Sequence, residues 1–95
     1  MKLYISETAQ NKINDVAEFV DDINLFGAGE RWAERLIAFL LEHAKLKNVQ
    51  WQLCNNKDLA AKYYSCLQYK GWVIAFKIEY NEFRVYDFIH GSLLA

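Results

Sequence analysis

The pattern of hydrophobic and polar positions predicts a strand, two helices and then several strands. Residues 2–5 are rich in Leu, Tyr and Ile, which favours a first strand. Apolar residues then recur at helical spacing from residue 9 to about 23, with acidic residues on the opposite face. Gly27 and Gly29 interrupt this pattern, and a second helical pattern follows over residues 30–45. The first half of the chain is therefore predicted to form a strand and a helical hairpin.

The second half of the chain alternates apolar and polar residues, as half-buried strands do. Strands are predicted at residues 49–53, 62–69, 72–80 and 83–90. Lys70-Gly71 and Asn81-Glu82 stand where two-residue turns would close hairpins between the last three. Because helices that precede an antiparallel meander cover one of its faces, the predicted fold class is α+β, with a helical hairpin packed on a small, mainly antiparallel sheet. The pairing partner of the first strand stays open.

The predicted Asn81-Glu82 turn also fixes a register for the last hairpin. The apolar residues of the face expected to meet the helices are Ile74, Phe76, Ile78, Tyr80, Phe83, Val85 and Ile89. The residues expected to pack on it from the second helix are Trp32, Leu36, Phe39 and Leu40. In this register Phe76 lies opposite Asp87, which is the one charged residue on the face and therefore needs a partner or a place at the sheet edge.

The opposite face of the predicted sheet gathers basic and aromatic residues. They are Lys62, Tyr64, Lys77, Arg84, Tyr86, Phe88 and His90. Cations and aromatic rings that alternate on an open sheet can hold a nucleic-acid strand through phosphate contacts and stacking. They also suit an ordinary surface or a protein interface, with Glu79 paired to Arg84 across the strands. The pattern favours the second interpretation and leaves the first open, and we take Tyr64, Tyr86 and Phe88 as candidate partner-binding residues.

The charge of the chain limits what this face can bind. Eleven basic residues stand against twelve acidic ones, which gives a net charge of -1 and a pI near 6.1. A domain that holds nucleic acid tightly usually carries a basic surface, because neutralising phosphates supplies much of the affinity. The average charge gives no such surface, so any nucleic-acid site must be local.

Length and cysteine usage indicate one domain without a metal. The 95 residues, 54% of them hydrophobic, suffice for a single core, so we expect one domain over residues 1–95. Cys54 and Cys66 are not spaced as a CxxC pair, and His43 and His90 complete no zinc pattern. We therefore expect two buried free thiols, no metal and no cofactor. No stretch is apolar enough for a signal peptide or a membrane span, so the expected location is the cytoplasm.

The C-terminal third carries a recognisable order of residue types. Residues 71–80 read GWVIAFKIEY, an apolar strand follows at residues 83–89, and His90-Gly91 comes next. This stretch resembles the closing hairpin of the RelE/ParE family of bacterial toxins, which runs through glycine, an aromatic residue, arginine, alternating apolar residues, a short turn and a final His-Gly. The opening of the chain, a short strand, Ser-Glu-Thr-Ala and a helical hairpin, is also similar to the family. The resemblance thus covers nearly the whole chain.

The resemblance implies a toxin of a type II toxin–antitoxin, or plasmid-stabilisation, system. Its implied partner is a cognate antitoxin protein, and its implied target is either the ribosome or DNA gyrase. RelE-like members cut messenger RNA on the ribosome without a metal, whereas ParE-like members poison gyrase. A second copy of the chain is a further expected partner for the aromatic face.

The chain departs from the family where RNA cleavage would need it most. Cleavage requires a base, an acid and cations that stabilise the charged phosphorane. Val73 stands where the family has its arginine, and the preceding strand carries none. His90 matches the closing histidine, with Arg84 and Lys77 as the available cations. In the predicted register, however, His90 lies opposite Val73, which offers no charge.

The sequence therefore predicts a toxin-fold protein that acts by binding proteins, without ribonuclease activity. One alternative is a metal-independent, ribosome-dependent endoribonuclease that uses His90, Arg84 and Lys77. Another is a non-toxic protein-binding module of the same fold, which growth arrest on expression would separate from the other two.

Overall fold

A computed structural model describes residues 1–24 and 26–94 of the chain and confirms the α+β fold. In order, the elements are β1 (Lys2–Ile5), α1 (Glu7–Ile23), α2 (Ala28–Ala44), α3 (Lys57–Ala61), β2 (Ser65–Tyr69), β3 (Trp72–Glu79) and β4 (Glu82–His90), followed by a 3₁₀ turn at Gly91–Leu93. Within these residues, α1 and α2 pack on a mixed sheet whose strands lie in the order β1-β4-β3-β2.

The sheet is antiparallel except at one edge. Strands β2, β3 and β4 form the predicted meander, whereas β1 runs parallel to β4. Tyr4 of β1 lies opposite Arg84, and Ile5 lies opposite Val85. The connection from β1 to β4 runs through both long helices, α3, β2 and β3, which gives the long crossover that a parallel pair requires. This pairing resolves the partner of the first strand, which the sequence left open.

The helical hairpin depends on a cap and a close approach. Ser6 caps α1, because its hydroxyl accepts a hydrogen bond from the Ala9 N–H at 3.1 Å. Gly29, predicted to mark the bend with Gly27, instead lies inside α2. A Cβ atom at Gly29 would come within 2.0 Å of the Ala17 carbonyl oxygen. Only glycine therefore lets the two helices pack this closely at this point.

The turn between β3 and β4 differs from the predicted one by a single residue. Tyr80 and Asn81 are its central residues, with φ angles of 55° and 57°, and Glu79 lies opposite Glu82. A two-residue hairpin turn of this type needs two left-handed residues, and a tyrosine rarely adopts that conformation. The predicted position of the turn, at Asn81-Glu82, was wrong for this reason. The Lys70-Gly71 turn is confirmed, with Tyr69 opposite Trp72.

A β-bulge in β4 changes which side chains face the helices. Phe76 lies opposite Val85 and Ala75 lies opposite Asp87, so that Tyr86 has no partner on β3. An extra residue reverses the faces of everything beyond it. Phe88 accordingly turns into the core between the helices and the sheet, whereas Ile89 turns to the opposite face. The predicted positions of these two residues were wrong for this reason.

The main core lies between the helices and the sheet. Its fully buried large side chains are Ile13, Leu36, Leu40, Ile74, Phe76, Phe83, Val85 and Phe88. The predicted packing of Trp32, Leu36, Phe39 and Leu40 on Ile74, Phe76 and Val85 is confirmed. Ile78 was wrongly assigned to this core, because it lies near the hairpin turn and is 39% exposed. Asp87 has the partner it was expected to need, an ion pair with Lys12 of α1 at 2.6 Å.

The segment between α2 and β2 departs most from its predicted structure. Residues 49–53 form no strand, and only Leu53 makes an isolated bridge, with Ser65. Trp51 instead packs its ring edge-on against Phe76, with 5.2 Å between ring centroids. The helix α3 begins shortly after this segment, and Asn56 caps it by accepting a hydrogen bond from the Leu59 N–H. Tertiary packing of Trp51 here overrides the local strand pattern.

Cys54 and Cys66 form a disulfide, so the prediction of free thiols was wrong. The bridge between Leu53 and Ser65 brings the loop alongside β2, and the two cysteine Cα atoms lie 5.1 Å apart, which suits a disulfide. Cys54 joins a second, smaller core with Leu59 and Ala75, on the sheet face opposite α1 and α2. Among the residues described, no helix is both long and apolar enough to cross a membrane.

Candidate functional site

Two cations lie side by side on the sheet face away from α1 and α2. Lys77 of β3 is directly opposite Arg84 of β4, near the turn that closes the last hairpin. Tyrosine rings and two carboxylates surround them. We call this set the cation–tyrosine cluster: Tyr4, Tyr63, Tyr64, Lys77, Glu79, Tyr80, Glu82, Arg84 and Tyr86.

Arg84 is the centre of the cluster. Its guanidinium carbon lies 3.9 Å from the ring centroid of Tyr4 and 5.8 Å from those of Tyr80 and Tyr86. Its Nη1 donates to Glu82 Oε1 at 2.6 Å, and its Nε donates to the Tyr86 hydroxyl at 2.9 Å. Both edges and one face of the guanidinium thus have partners within the chain. The rings are within the range of cation–π attraction, which holds the group in place.

The charge state of Arg84 follows from the same contacts. The hydrogen bond to the Tyr86 hydroxyl is the main cause that raises the pKa of the guanidinium above its ordinary value, and the Glu82 carboxylate adds to it. Partial loss of solvent opposes both but does not reverse them. Arg84 is therefore a permanent cation. Its predicted pairing with Glu79 was wrong, because the hairpin turn lies one residue earlier than predicted. Glu79 instead accepts a hydrogen bond from the Tyr86 hydroxyl at 3.3 Å.

Lys77 closes the other side of the cluster. Its Nζ lies 5.3 Å from the ring centroid of Tyr64 and 6.0 Å from that of Tyr63. The Tyr64 and Tyr86 rings stack at 5.5 Å with an interplanar angle of 12°. The bulge in β4 leaves Tyr86, one of the two stacked residues, without a partner on β3. The bulge at Tyr86 therefore lies where the tyrosines around Lys77 meet those around Arg84.

The nine residues of the cluster carry no net formal charge, and the exposed Lys2 of β1 lies beside them, opposite Glu82. Lys77 and Arg84 equal Glu79 and Glu82 in number, and the ion pair within the set is the one between Arg84 and Glu82. Lys77 contacts tyrosine rings, and Glu79 accepts the hydrogen bond from Tyr86. Tyr63 and Tyr80 are 74% and 83% exposed, so solvent reaches large aromatic surfaces beside the charges. Tyrosine and arginine are the residues that most often dominate binding energy at protein interfaces. The arrangement is suited to a protein partner.

His90 lies apart from the cluster. Its ring meets Trp72 edge-on at 5.0 Å, and its Nδ1 lies 2.8 Å from the Ser92 hydroxyl at the start of the 3₁₀ turn. His90 is opposite Trp72, so its predicted position opposite Val73 was wrong. It follows Arg84 by six residues, which is about 20 Å along a strand. The structure brings Lys77 and Arg84 together but does not bring His90 to them.

Two of the three predicted partner-binding residues lie in the cluster, and the third does not. Tyr64 and Tyr86 lie in the cluster, in contact with each other. Phe88 was wrong as a binding residue, because it is 1% exposed and packs between Trp32 and Trp72 at 6.0 and 4.5 Å. The bulge explains the error. Lys62, also predicted on this face, is exposed at the C-cap of α3.

Sequence reasoning missed four members of the cluster: Tyr4, Tyr63, Tyr80 and Glu82. Tyr4 reaches Arg84 only because β1 pairs with β4, a contact between distant parts of the chain. Tyr80 was assigned to the strand face toward the helices, but it lies in the turn. Tyr63 follows α3 with a φ of 64°. The sequence feature that could have indicated these residues is the high number of tyrosines near Lys77 and Arg84.

No family model matches this chain in a scan of known protein families, and no characterised protein shows significant similarity to it. Over residues 1–24 and 26–94, the structure has no group of three or more His, Cys, Asp or Glu side chains that could hold a metal ion. The cluster's geometry and the chain's own residues are therefore the basis for a functional proposal.

Proposed function

We propose that the chain is a RelE/ParE-like toxin-fold protein of a type II toxin–antitoxin system that acts by binding proteins through the cation–tyrosine cluster, without ribonuclease activity. The observation that carries this proposal is that Arg84, the central cation of the cluster, is already paired within the chain. Arg84 already bonds Glu82 and Tyr86, and Lys77 lies over tyrosine rings. The proposed partners are a cognate antitoxin and a protein target such as DNA gyrase, and the proposed location is the cytoplasm.

The charges of the cluster favour a protein over a nucleic acid. A phosphate backbone is bound by unpaired cations that replace its counterions. Here an incoming phosphate would compete with Glu82 for Arg84 and would approach Glu79, which repels it. A protein partner can instead pack on the exposed rings of Tyr63 and Tyr80 and leave the ion pair intact. The cluster suits that partner better.

The positions of the candidate catalytic residues point the same way. RNA cleavage needs its acid, base and cations within hydrogen-bond reach of one phosphate. His90 lies at the far end of β4 from Arg84 and Lys77, beside Trp72 and Gly71. No lysine or arginine is opposite His90 on β3, where Trp72 lies. This separation supports protein binding over the alternative of an endoribonuclease.

Binding to the antitoxin tests the proposal. The protein encoded beside this chain's gene is titrated into it by calorimetry, with Tyr64→Ser/Tyr86→Ser as the variant. Both rings lie in the cluster and outside the main core, so the fold should persist. We expect the variant to bind at least tenfold more weakly, which is about 1.4 kcal/mol.

A matched control lies on the other side of the molecule. Phe19 of α1 is 60% exposed, and Phe19→Ser removes an aromatic ring without touching the sheet. We expect this variant to bind as the unchanged chain does, with circular dichroism confirming that all three proteins are folded. Equal affinity in the tyrosine variant, together with a loss in Phe19→Ser, would place the binding site on α1 and contradict the proposal.

A further inference from the structure

The disulfide closes a loop that contains part of the cation–tyrosine cluster. Cys54 lies in the segment before α3 and Cys66 lies in β2, so the bond encloses residues 55–65. Tyr63 and Tyr64 are within that loop, and Tyr64 stacks on Tyr86. Tyr64, whose ring belongs to the proposed binding site, is thus only two positions before Cys66 in the chain.

Besides the disulfide, the loop is held at its C-terminal end, where Ser65 of β2 lies opposite Phe76 of β3, and by a small number of contacts before that end. The Cys54 N–H donates to the Tyr64 carbonyl at 2.9 Å, and Leu53 bridges Ser65. Leu59 is the one buried side chain of α3. Tyr63 has a left-handed φ of 64°, a conformation that a bulky residue keeps only where its surroundings impose it. The bond between the cysteines therefore adds a covalent restraint to the segment that carries Tyr63 and Tyr64.

A cleft gives a reductant access to this bond. The cleft has a volume of about 390 Å³, and its walls include both cysteines together with Trp51, Asn55, Gln68 and Val73. It lies on the sheet face opposite α1 and α2, outside the main core. A small dithiol can enter a space of this size, and thiol–disulfide exchange depends on such access to a sulfur atom.

We propose that the Cys54–Cys66 disulfide is a redox latch for the cation–tyrosine cluster. A dithiol attacks one sulfur through a mixed disulfide, and two electrons and two protons pass to the protein. The S–S bond breaks, Cys54 and Cys66 become thiols, and the dithiol becomes a disulfide. Residues 55–65 then loosen, and Tyr64 leaves its stack on Tyr86.

The latch fits the location proposed for the chain. A disulfide in a reducing cytosol is commonly transient and redox-sensing, whereas one in an oxidising compartment is structural. The main core of Phe76, Phe83 and Phe88 lies on the other side of the sheet, so the fold is expected to survive reduction. This inference rests on the proposed function, because the latch regulates the cluster through which the chain is proposed to bind its partners.

Hydrogen exchange measured by mass spectrometry tests the latch without any partner. The oxidised protein, the protein reduced with dithiothreitol and the Cys54→Ser/Cys66→Ser variant are compared, with free thiols counted by titration. We expect peptides covering residues 53–66 to exchange at least tenfold faster in the reduced protein and in the variant. Peptides covering residues 74–88 should not change, and dithiothreitol should have no effect on the variant.

Three results would overturn the latch. Unchanged exchange at residues 53–66 with two titrated thiols would show that the bond does not restrain the loop. Faster exchange throughout the chain would show that the bond holds the whole fold. Two free thiols in the protein purified in air would show that the bond does not form. If the oxidised protein does not bind the antitoxin, the proposed function is contradicted. The hydrogen-exchange result for residues 53–66 still decides whether the latch exists.

Discussion

Replacing Phe76 by alanine is expected to lower the free energy of unfolding by about 3–5 kcal/mol. Phe76 is fully buried, stacks on Phe83 at 4.4 Å and meets the edge of Trp51 at 5.2 Å. The substitution leaves a cavity beside the rings of Trp51 and Phe83 that the neighbouring strands cannot close. Urea denaturation, followed by circular dichroism, measures the change.

Phe19→Ala is the matched control for this prediction, because it removes the same atoms from an exposed position on α1. Surface substitutions of this kind change stability by at most about 0.5 kcal/mol. A loss below about 1 kcal/mol in Phe76→Ala would place this face of the sheet outside the core and contradict the described packing.

Phe88→Ala is expected to cost as much as Phe76→Ala, about 3–5 kcal/mol, although the simple hairpin register would have put Phe88 in solvent. Its ring is 1% exposed between Trp32 and Trp72. Tyr86→Ala, two residues away, should cost only about 1 kcal/mol, since its ring lies in the half-exposed cluster. The same denaturation experiment compares them, and the reverse order of the two losses would show that β4 has no bulge.

Local pattern was enough to predict most of the fold. The helical spacing in α1 and α2 and the Lys70-Gly71 turn are short-range signals, and each is confirmed. The second hairpin turn was misplaced because Tyr80 adopts a left-handed conformation that its side chain does not favour. Nothing in the alternation of β4 marks Tyr86 as an extra residue, since the bulge is settled by packing around it.

The candidate site was predicted as far as its contacts are local. Lys77, Arg84 and Tyr86 come from one hairpin, and their shared face followed from alternation before the bulge. Tyr4 joins them through a parallel pairing between the two ends of the chain, which sequence alone left open. The disulfide was missed for a similar reason, because it depends on the path of the loop before α3 beside β2.

The measurement that tests the central claim most directly is primer extension on messages bound to translating ribosomes. The chain is added to these ribosomes, and a ribosome-dependent nuclease is assayed beside it as a positive control. A protein that acts by binding through a neutral cluster should leave the messages intact, because His90, Arg84 and Lys77 do not converge on one phosphate. Discrete cuts within codons, abolished by His90→Ala or Arg84→Ala, would contradict the account.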